Sequence, residues 1–305
     1  MSAYADLHTH TTVTDGRAAP RELVEEAAAR RLPVLVVTDH SVVTWGDLPQ
    51  YAASLGVAMP FPGVEVSTTL EGRRHHLLLY GPGLLTLDQE QSDWLFAPVR
   101  YKNDQAERTR RELIRRGFDL PDLDTVRRQE VPGTTPTPEK LLVSRTALAR
   151  AVSARAGLPF EAAYDVVRDA HAEAEVPASP GAPQYLPALE VLGLAREVGA
   201  VTSLAHPLWR CRTEEDISQA VLDVELLAAH GLDAVESRSY HHRPLDDHKA
   251  LHDAGRRLGL LASGGSDYHA NGRTELGADG LDEHRFTAFA ERVADRTGRE
   301  ATRVR

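Results

Sequence analysis

A single cysteine, Cys211, stands in the 305 residues. No internal disulfide is possible, and the chain suits a reducing cytoplasm. No apolar run approaches the roughly 18–20 residues that a membrane span needs. The segment Met1–Leu7 has neither a basic start nor a long apolar core, so no secretory signal is expected there. Positive charge is also short: 35 Lys and Arg stand against 45 Asp and Glu, for a formal net charge of −10. That balance argues against tight, sequence-independent binding to long nucleic acid, although bound divalent cations would offset it locally. No internal repeat is found, and nothing in the sequence specifies the oligomeric state.

What remains is an ordinary globular composition, 42% hydrophobic and 26% charged. The length allows one large α/β domain, or one domain carrying an insertion. Histidine is prominent, with 14 residues, many beside Asp, Glu or another His.

Short apolar runs recur at Tyr4–His8, Pro33–Thr38, Phe61–Ser67, His75–Tyr80, Ala200–Ala205, Asp233–Ser237 and Gly259–Ser263. Their length and Gly/Pro boundaries read as buried strands. Helical patterns lie between most of them, at Pro20–Arg31, Leu186–Val198, Glu214–His230 and His248–Leu258. Alternation of this kind predicts a parallel α/β sheet. Seven strands with polar residues at their C-terminal ends predict a barrel with its chemistry at that rim. The stretch Gly81–Tyr185 breaks the rhythm with charged helical segments at Gln91–Arg116, Glu139–Ala156 and Phe160–Glu175. A structureless loop of that length is improbable. The organisation expected is therefore 1–85 as the first part of a barrel, 86–187 as a helical insertion over its mouth, and 188–305 as the second part with a polar, surface tail after Gly280.

The candidate chemistry sits where the apolar runs end. His8 and His10 form an H-x-H pair, and alternate residues of a strand point to one side. Asp15-Gly16 follows in a loop, where Asp-Gly more commonly marks a simple turn. Asp39-His40 ends a strand, and Asp39 also fits a helix N-cap. Glu65 lies inside an apolar run, where an unpaired carboxylate is expensive. His75 and His76 open the next strand, and strand parity alone does not choose between them. His206 precedes Pro207, and Asp267 and His269 form D-x-H after two glycines. Imidazole and carboxylate without thiolate suit Mn, Fe or Zn hydrolytic centres rather than a structural zinc knot.

The segments DLHTHTTVTDG, TDH, GVEVS with HH, LAHP and GGSDYHA, in this order between Asp6 and Ala270, resemble the motifs of the PHP (polymerase and histidinol phosphatase) superfamily. Within it the chain is most similar to the phosphoesterases that act on 3′,5′-nucleoside bisphosphates and short 5′-phosphorylated RNA. Ser144-Arg145-Thr146 resembles the start of an insertion helix in that group, and the 239–247 segment resembles its stretch after the sixth strand. The resemblance implies a distorted seven-stranded (β/α)7 barrel with a helical insertion between strands 4 and 5. It implies three divalent ions, Mn foremost, with Fe or Zn as alternatives. One ion would be held by His8, His10, Glu65 and Asp267, a second by Asp15, His40 and His269, and a third by Glu65, His76 and His206. His76 is preferred to His75 because the family histidine follows the glutamate by eleven residues.

The expected reaction is hydrolysis of a phosphomonoester by a hydroxide bridging two metals. The first candidate substrate is the 3′-phosphate of a nucleoside 3′,5′-bisphosphate. Alternatives are 5′→3′ exonucleolytic cleavage of short RNA, dephosphorylation of another metabolite such as histidinol phosphate, and a non-enzymatic metal-binding regulatory domain. Arg145, Arg210, Lys102 and Arg273 are candidates for gripping phosphate. Asp15 is a candidate catalytic residue, as is His242, which would donate a proton to the leaving oxygen or contact the phosphate.

Overall fold

The computed structural model describes residues 3–130, 141–174, 183–236 and 245–298. Elements follow in the order β1 (Ala5–Asp6), α1 (Pro20–Ala29), β2 (Val34–Leu35), α2 (Leu48–Ser54), β3 (Gly63–Leu70), β4 (Arg73–Tyr80), α3 (Gln89–Leu95), α4 (Ala97–Arg115), α5 (Leu123–Glu130), α6 (Arg145–Ala156) and α7 (Phe160–Ala174). They continue with β5 (Leu186–Pro187), α8 (Ala188–Glu197), β6 (Val201–Ala205), α9 (Glu214–Ala229), β7 (Ala234–Glu236), α10 (Leu245–Arg257), β8 (Leu261–Ser263) and α11 (Glu283–Thr297). The fold is mixed α/β.

All seven apolar runs carry strand, but their pairing departs from a parallel sheet. The ladders form a six-stranded sheet, β5-β3-β4-β6-β7-β8, and a separate pair, β1-β2, rather than one continuous seven-stranded barrel. Isolated parallel bridges lie between these sheets, His40 with Glu65 and Thr9 with Tyr268. β4 runs antiparallel to both β3 and β6. Only Glu71-Gly72 separate β3 from β4, and both take positive φ, 49° and 79°. A two-residue turn of this kind makes a hairpin, whereas a parallel crossover needs a dozen residues or more. The reversal matters for the site: it brings the N-terminal half of β4 beside the C-terminal ends of β3 and β6, with His76 opposite Ser67 and Ala205.

Helices α3 to α7 lie between β4 and β5. The single helix expected over 91–116 is two, α3 and α4, because Pro98 sits in the first turn of α4 and cannot continue the preceding helix. The helix expected from 139 starts at Arg145, where the Ser144 hydroxyl accepts a hydrogen bond from the Ala147 N–H at 3.2 Å and caps it. This region has its own apolar cluster, with Leu113, Val126, Leu148, Val152 and Val167 at its centre. Among the described residues, the tail after Gly280 is not a surface appendage. In α11 the residues Phe286, Phe289 and Val293 recur at helical spacing and pack with Tyr80, Phe61 and Val201 in the core. Tyr80, fully buried, donates its hydroxyl to the Leu7 carbonyl at 2.9 Å and ties β4 to the residue that follows β1.

Candidate metal centre

Side chains from six separate segments meet at one rim of the sheet. Glu65, 1% exposed, is the hub. Its Oε1 lies 2.7 Å from His76 Nδ1, 3.1 Å from His206 Nε2 and 3.4 Å from His8 Nε2. Its Oε2 lies 3.1 Å from His40 Nδ1 and 3.3 Å from His10 Nε2. Asp267 Oδ1 stands 3.2 Å from His10 Nε2 and 3.4 Å from His8 Nε2. Asp15 stands 3.4 Å from both His40 Nε2 and His269 Nε2. All nine residues singled out by sequence are therefore assembled. Four overlapping groups have donor atoms within 4.8 Å of one another: His10, Asp15, His40 and His269; His8, His10 and Glu65; His8, His206 and Asp267; His40, Glu65 and His76. His8, His10, His40 and Glu65 thus each serve two groups, and His206, grouped with His8 and Asp267, also has its Nε2 3.1 Å from Glu65.

Local structure sets these positions. Asp39 accepts from the Thr11 N–H at 2.9 Å and from the hydroxyls of Thr11, Thr14 and Thr44 at 2.5–2.6 Å. It thereby folds the loop that carries Asp15 back over the end of β2, and it is neither a ligand-type donor to the cluster nor a helix cap. Asp6 does the same at the other end, accepting from the His8, Ser266 and Gly277 N–H groups and the Ser266 hydroxyl. The loop bearing Asp267 is pressed against β1 so closely that a Cβ at Gly265 would stand 2.4 Å from the His8 nitrogen. His206 and Asp267 both take positive φ, 28° and 48°, strained values for residues with a side chain. His75 points to the opposite face of β4, where its Nε2 lies 3.0 Å from Asp223.

The electrostatics fit cations. Burial would raise Glu65, but His76, His40 and His8 hold it well below the usual carboxylate range. Asp15 and Asp267 are likewise pulled down against burial by surrounding imidazoles. Burial, with help from Lys102, lowers His40 to about 4. Against burial, the same carboxylates raise His8, His10, His206 and His269, His10 to about 10, while burial lowers His76. Without metal, protonated imidazoles offset the caged carboxylates, and divalent cations would supply that charge in their place. His10 Nδ1, His40 Nδ1 and Asp15 Oδ1 are buried without a hydrogen-bond partner. Buried lone pairs of this kind are costly unless something binds them.

The cluster forms the floor of a cavity of about 700 Å³. Lys102, Arg145 and Arg273 line it, together with Arg17, Arg74, Tyr101 and Trp209. Arg210 does not; its guanidinium stacks 4.6 Å over the Trp209 ring and lines an adjoining cavity of about 350 Å³. His242 lies outside the described residues. Sequence reading missed Arg17, although it follows Asp15-Gly16 directly, and missed Glu236, Asp6 and Asp39 as organisers of the cluster.

Comparison with known proteins agrees with this chemistry. Residues 6–120 match the PHP domain family. The chain is 30% identical over 274 residues to a 3′,5′-nucleoside bisphosphate phosphatase of Chromobacterium violaceum, covering 88% of each chain. The chain belongs to the PHP family. It is also 26% identical to the 5′-3′ exoribonuclease Rnm of Escherichia coli, over 87% of this chain and 84% of that one. Among solved structures, an amidohydrolase from Chromobacterium violaceum with bound sulfate and no metal superposes at a TM-score of 0.61, with 27% identity over 94% of this chain and 96% of the other. A protein of Bifidobacterium adolescentis assigned as a metal-dependent phosphoesterase shares the fold at a TM-score of 0.75, with 23% identity over 98% and 99%. As a PHP protein the chain is a hydrolase of phosphoester bonds, and its histidine–carboxylate centre binds divalent metal. Among the described residues no helix is long and apolar enough to cross a membrane.

Proposed function

We propose that this PHP enzyme removes the 3′-phosphate of a nucleoside 3′,5′-bisphosphate or a similar nucleotide. The observation that carries this reading is the placement of Lys102 and Arg145, both from the helical insertion, in the same cavity as Glu65, His76 and His206. A substrate with two phosphates needs two anion sites. One is the metal centre and the other is a set of fixed cations lining the same cavity. Lys102 interacts with both sides: burial lowers it, Asp15 and Glu65 raise it, and Arg145 lowers it again. Such a lysine is less firmly protonated when the cavity is empty and more so once a phosphate arrives.

Three ions are proposed, held by His8, His10, Glu65 and Asp267; by Asp15, His40 and His269; and by Glu65, His76 and His206. Mn is the first candidate, with Fe or Zn as alternatives, since imidazole and carboxylate accept all three. When bound, such ions acidify a water molecule and neutralise charge on the phosphoryl oxygens. The chain's own part is to keep donors fixed and substrate aligned. Glu65 spans two of the proposed groups, and Asp39 and Asp6 hold the loops that present Asp15 and Asp267. Arg145 and Lys102 orient the distal phosphate, and Arg17, Arg74 and Arg273 supplement them. His242 is retained as the proposed proton donor to the leaving oxygen. The fold is read as a distorted seven-stranded barrel, supported by the His40–Glu65 and Thr9–Tyr268 bridges, with 86–187 as a cap between 1–85 and 188–305. A reducing cytoplasm is the proposed compartment, on the ground of one cysteine.

Cleavage of short 5′-phosphorylated RNA is the second reading, favoured by the near full-length similarity to the Escherichia coli exoribonuclease. Phosphate release from nucleotides, bisphosphates, short RNAs and histidinol phosphate, with Mn supplied after chelation, separates the two. Preferential release from bisphosphates is expected. Turnover of histidinol phosphate alone would remove the two-anion argument.

A further inference from the structure

Glu236 ends β7 and is 2% exposed. Neither of its carboxylate oxygens faces solvent, and each meets a different member of the metal centre. Oε1 lies 3.0 Å from His8 Nδ1, and Oε2 accepts the His206 backbone N–H at 2.7 Å. His8 follows β1 and His206 follows β6, and their rings stack at 5.5 Å between centroids.

We infer that Glu236 is a positioning residue that fixes the tautomer of His8 and the backbone pose of His206, so that both imidazoles present Nε2 to the metal centre. The inference rests on the metal-centre reading above and assigns a residue that the ligand set does not contain. A carboxylate only accepts hydrogen bonds. The His8 Nδ1 facing it therefore carries the proton, and the lone pair is left on Nε2. That Nε2 is the atom aimed into the cluster, 3.2 Å from His10 Nε2 and 3.4 Å from both Glu65 Oε1 and Asp267 Oδ1. The second oxygen acts on geometry rather than protonation. His206 sits at φ 28°, directly before Pro207, a conformation that needs an external tie to persist. The bond from its N–H to Glu236 supplies that tie, and the ring then reaches Glu65 with Nε2 at 3.1 Å. One side chain thus sets two ligand-type atoms that are 198 residues apart in the chain (206 − 8 = 198).

Glu236→Gln tests this sharply, because an amide offers one acceptor and one donor in place of two acceptors. If its NH2 faces His8, Nδ1 must become the acceptor and the proton moves to Nε2, inside the cage. If it faces His206, two N–H groups oppose each other. The experiment loads wild type and Glu236→Gln with zinc, measures zinc affinity and stoichiometry by dialysis and elemental analysis, and records imidazole 15N spectra of the loaded proteins. Wild type is expected to show His8 protonated at Nδ1 and metal-bound at Nε2. Glu236→Gln is expected to bind zinc about 10–100-fold more weakly, with the His8 signature altered. Glu236→Asp, which keeps the charge, is expected to recover part of the affinity and the Nδ1–H signature. A wild-type spectrum with His8 protonated at Nε2 overturns the inference, even should Glu236→Gln fail to fold. So does a folded Glu236→Gln with unchanged zinc affinity and an unchanged His8 signal, and that result leaves the metal centre standing. Wild type that takes up no zinc removes the metal-centre reading itself and this inference with it.

Discussion

Glu65 and His76 face each other across the β3–β4 hairpin, eleven residues apart in sequence and 2.7 Å apart between Oε1 and Nδ1. The pairing follows from register. Ser67 lies opposite His76, Glu65 is two residues further along on the same face, and His75 is turned outward to Asp223. His76→Ala is therefore expected to reduce phosphate release on the order of a thousand-fold, the equivalent of several kcal/mol of lost transition-state stabilisation. His75→Ala is expected to leave kcat within about threefold and to cost about 1 kcal/mol of stability. Parallel kinetics and urea unfolding of the two variants check the assignment, and a reversed pattern would refute it.

Asp15 and His206 meet different members of the cluster, one His40 and His269 and the other Glu65. Substituting either by Ala is expected to abolish activity, by roughly the same factor as His76→Ala, while circular dichroism stays native. Full activity in both variants would show that the reacting site lies elsewhere.

The cations of the insertion make a separable prediction. Arg145→Ala is expected to raise KM for a bisphosphate about tenfold or more, with a smaller effect on a nucleotide bearing one phosphate, because only the former uses the second anion site. Equal effects on both substrates would show that Arg145 grips the phosphate being cleaved.

Removal of metal has a stability readout independent of turnover. The carboxylates of Glu65, Asp15 and Asp267 are gathered in a cage that cations neutralise. Chelation is therefore expected to lower the thermal midpoint, and re-addition of Mn at about 100 times its Kd to restore about 2.7 kcal/mol. Calorimetry with and without chelator gives the answer. An unchanged midpoint would mean that the cage is balanced without ions.

On the outer face of β4, burial raises the Asp223 pKa, but hydrogen bonds from His75, Arg73 and Gln219 outweigh burial and bring it to about 2. A carboxylate depressed in the folded state stabilises fully above its ordinary value of 3.8 and loses that contribution as pH falls through about 2. Asp223→Asn is expected to be less stable than wild type near neutrality by about 1–2 kcal/mol. The gap should close as pH falls from about 4 to about 2. Urea midpoints across that range measure it.

The ligand-type residues were legible in the sequence because each sits in a short motif beside an apolar run. The strand segments were legible for the same reason. What tertiary pairing decides was not. The sense of β4 depended on reading Glu71-Gly72 as a tight turn rather than a pause in a strand. The break before α4 was written in Pro98 and overlooked. Burial of α11 was hidden by the arginines around Phe286, Phe289 and Val293, namely Arg285, Arg292 and Arg296. Glu236, Asp39 and Asp6 act through partners as far as 228, 28 and 271 residues away, and no local pattern marks such residues as organisers.

The Thr9–Tyr268 bridge and the grip of Asp6 on Ser266 join the start of the chain to a segment near its far end. Synthesis therefore delivers the enzyme late. A nascent polypeptide extended only as far as Gly259 contains His8, His10, Asp15, His40, Glu65, His76 and His206, yet lacks Asp267, His269 and the loop that seats against the first strand. Such an unfinished translation product lacks two of the nine clustered side chains, and the cluster is complete only once residues 267–269 have been added.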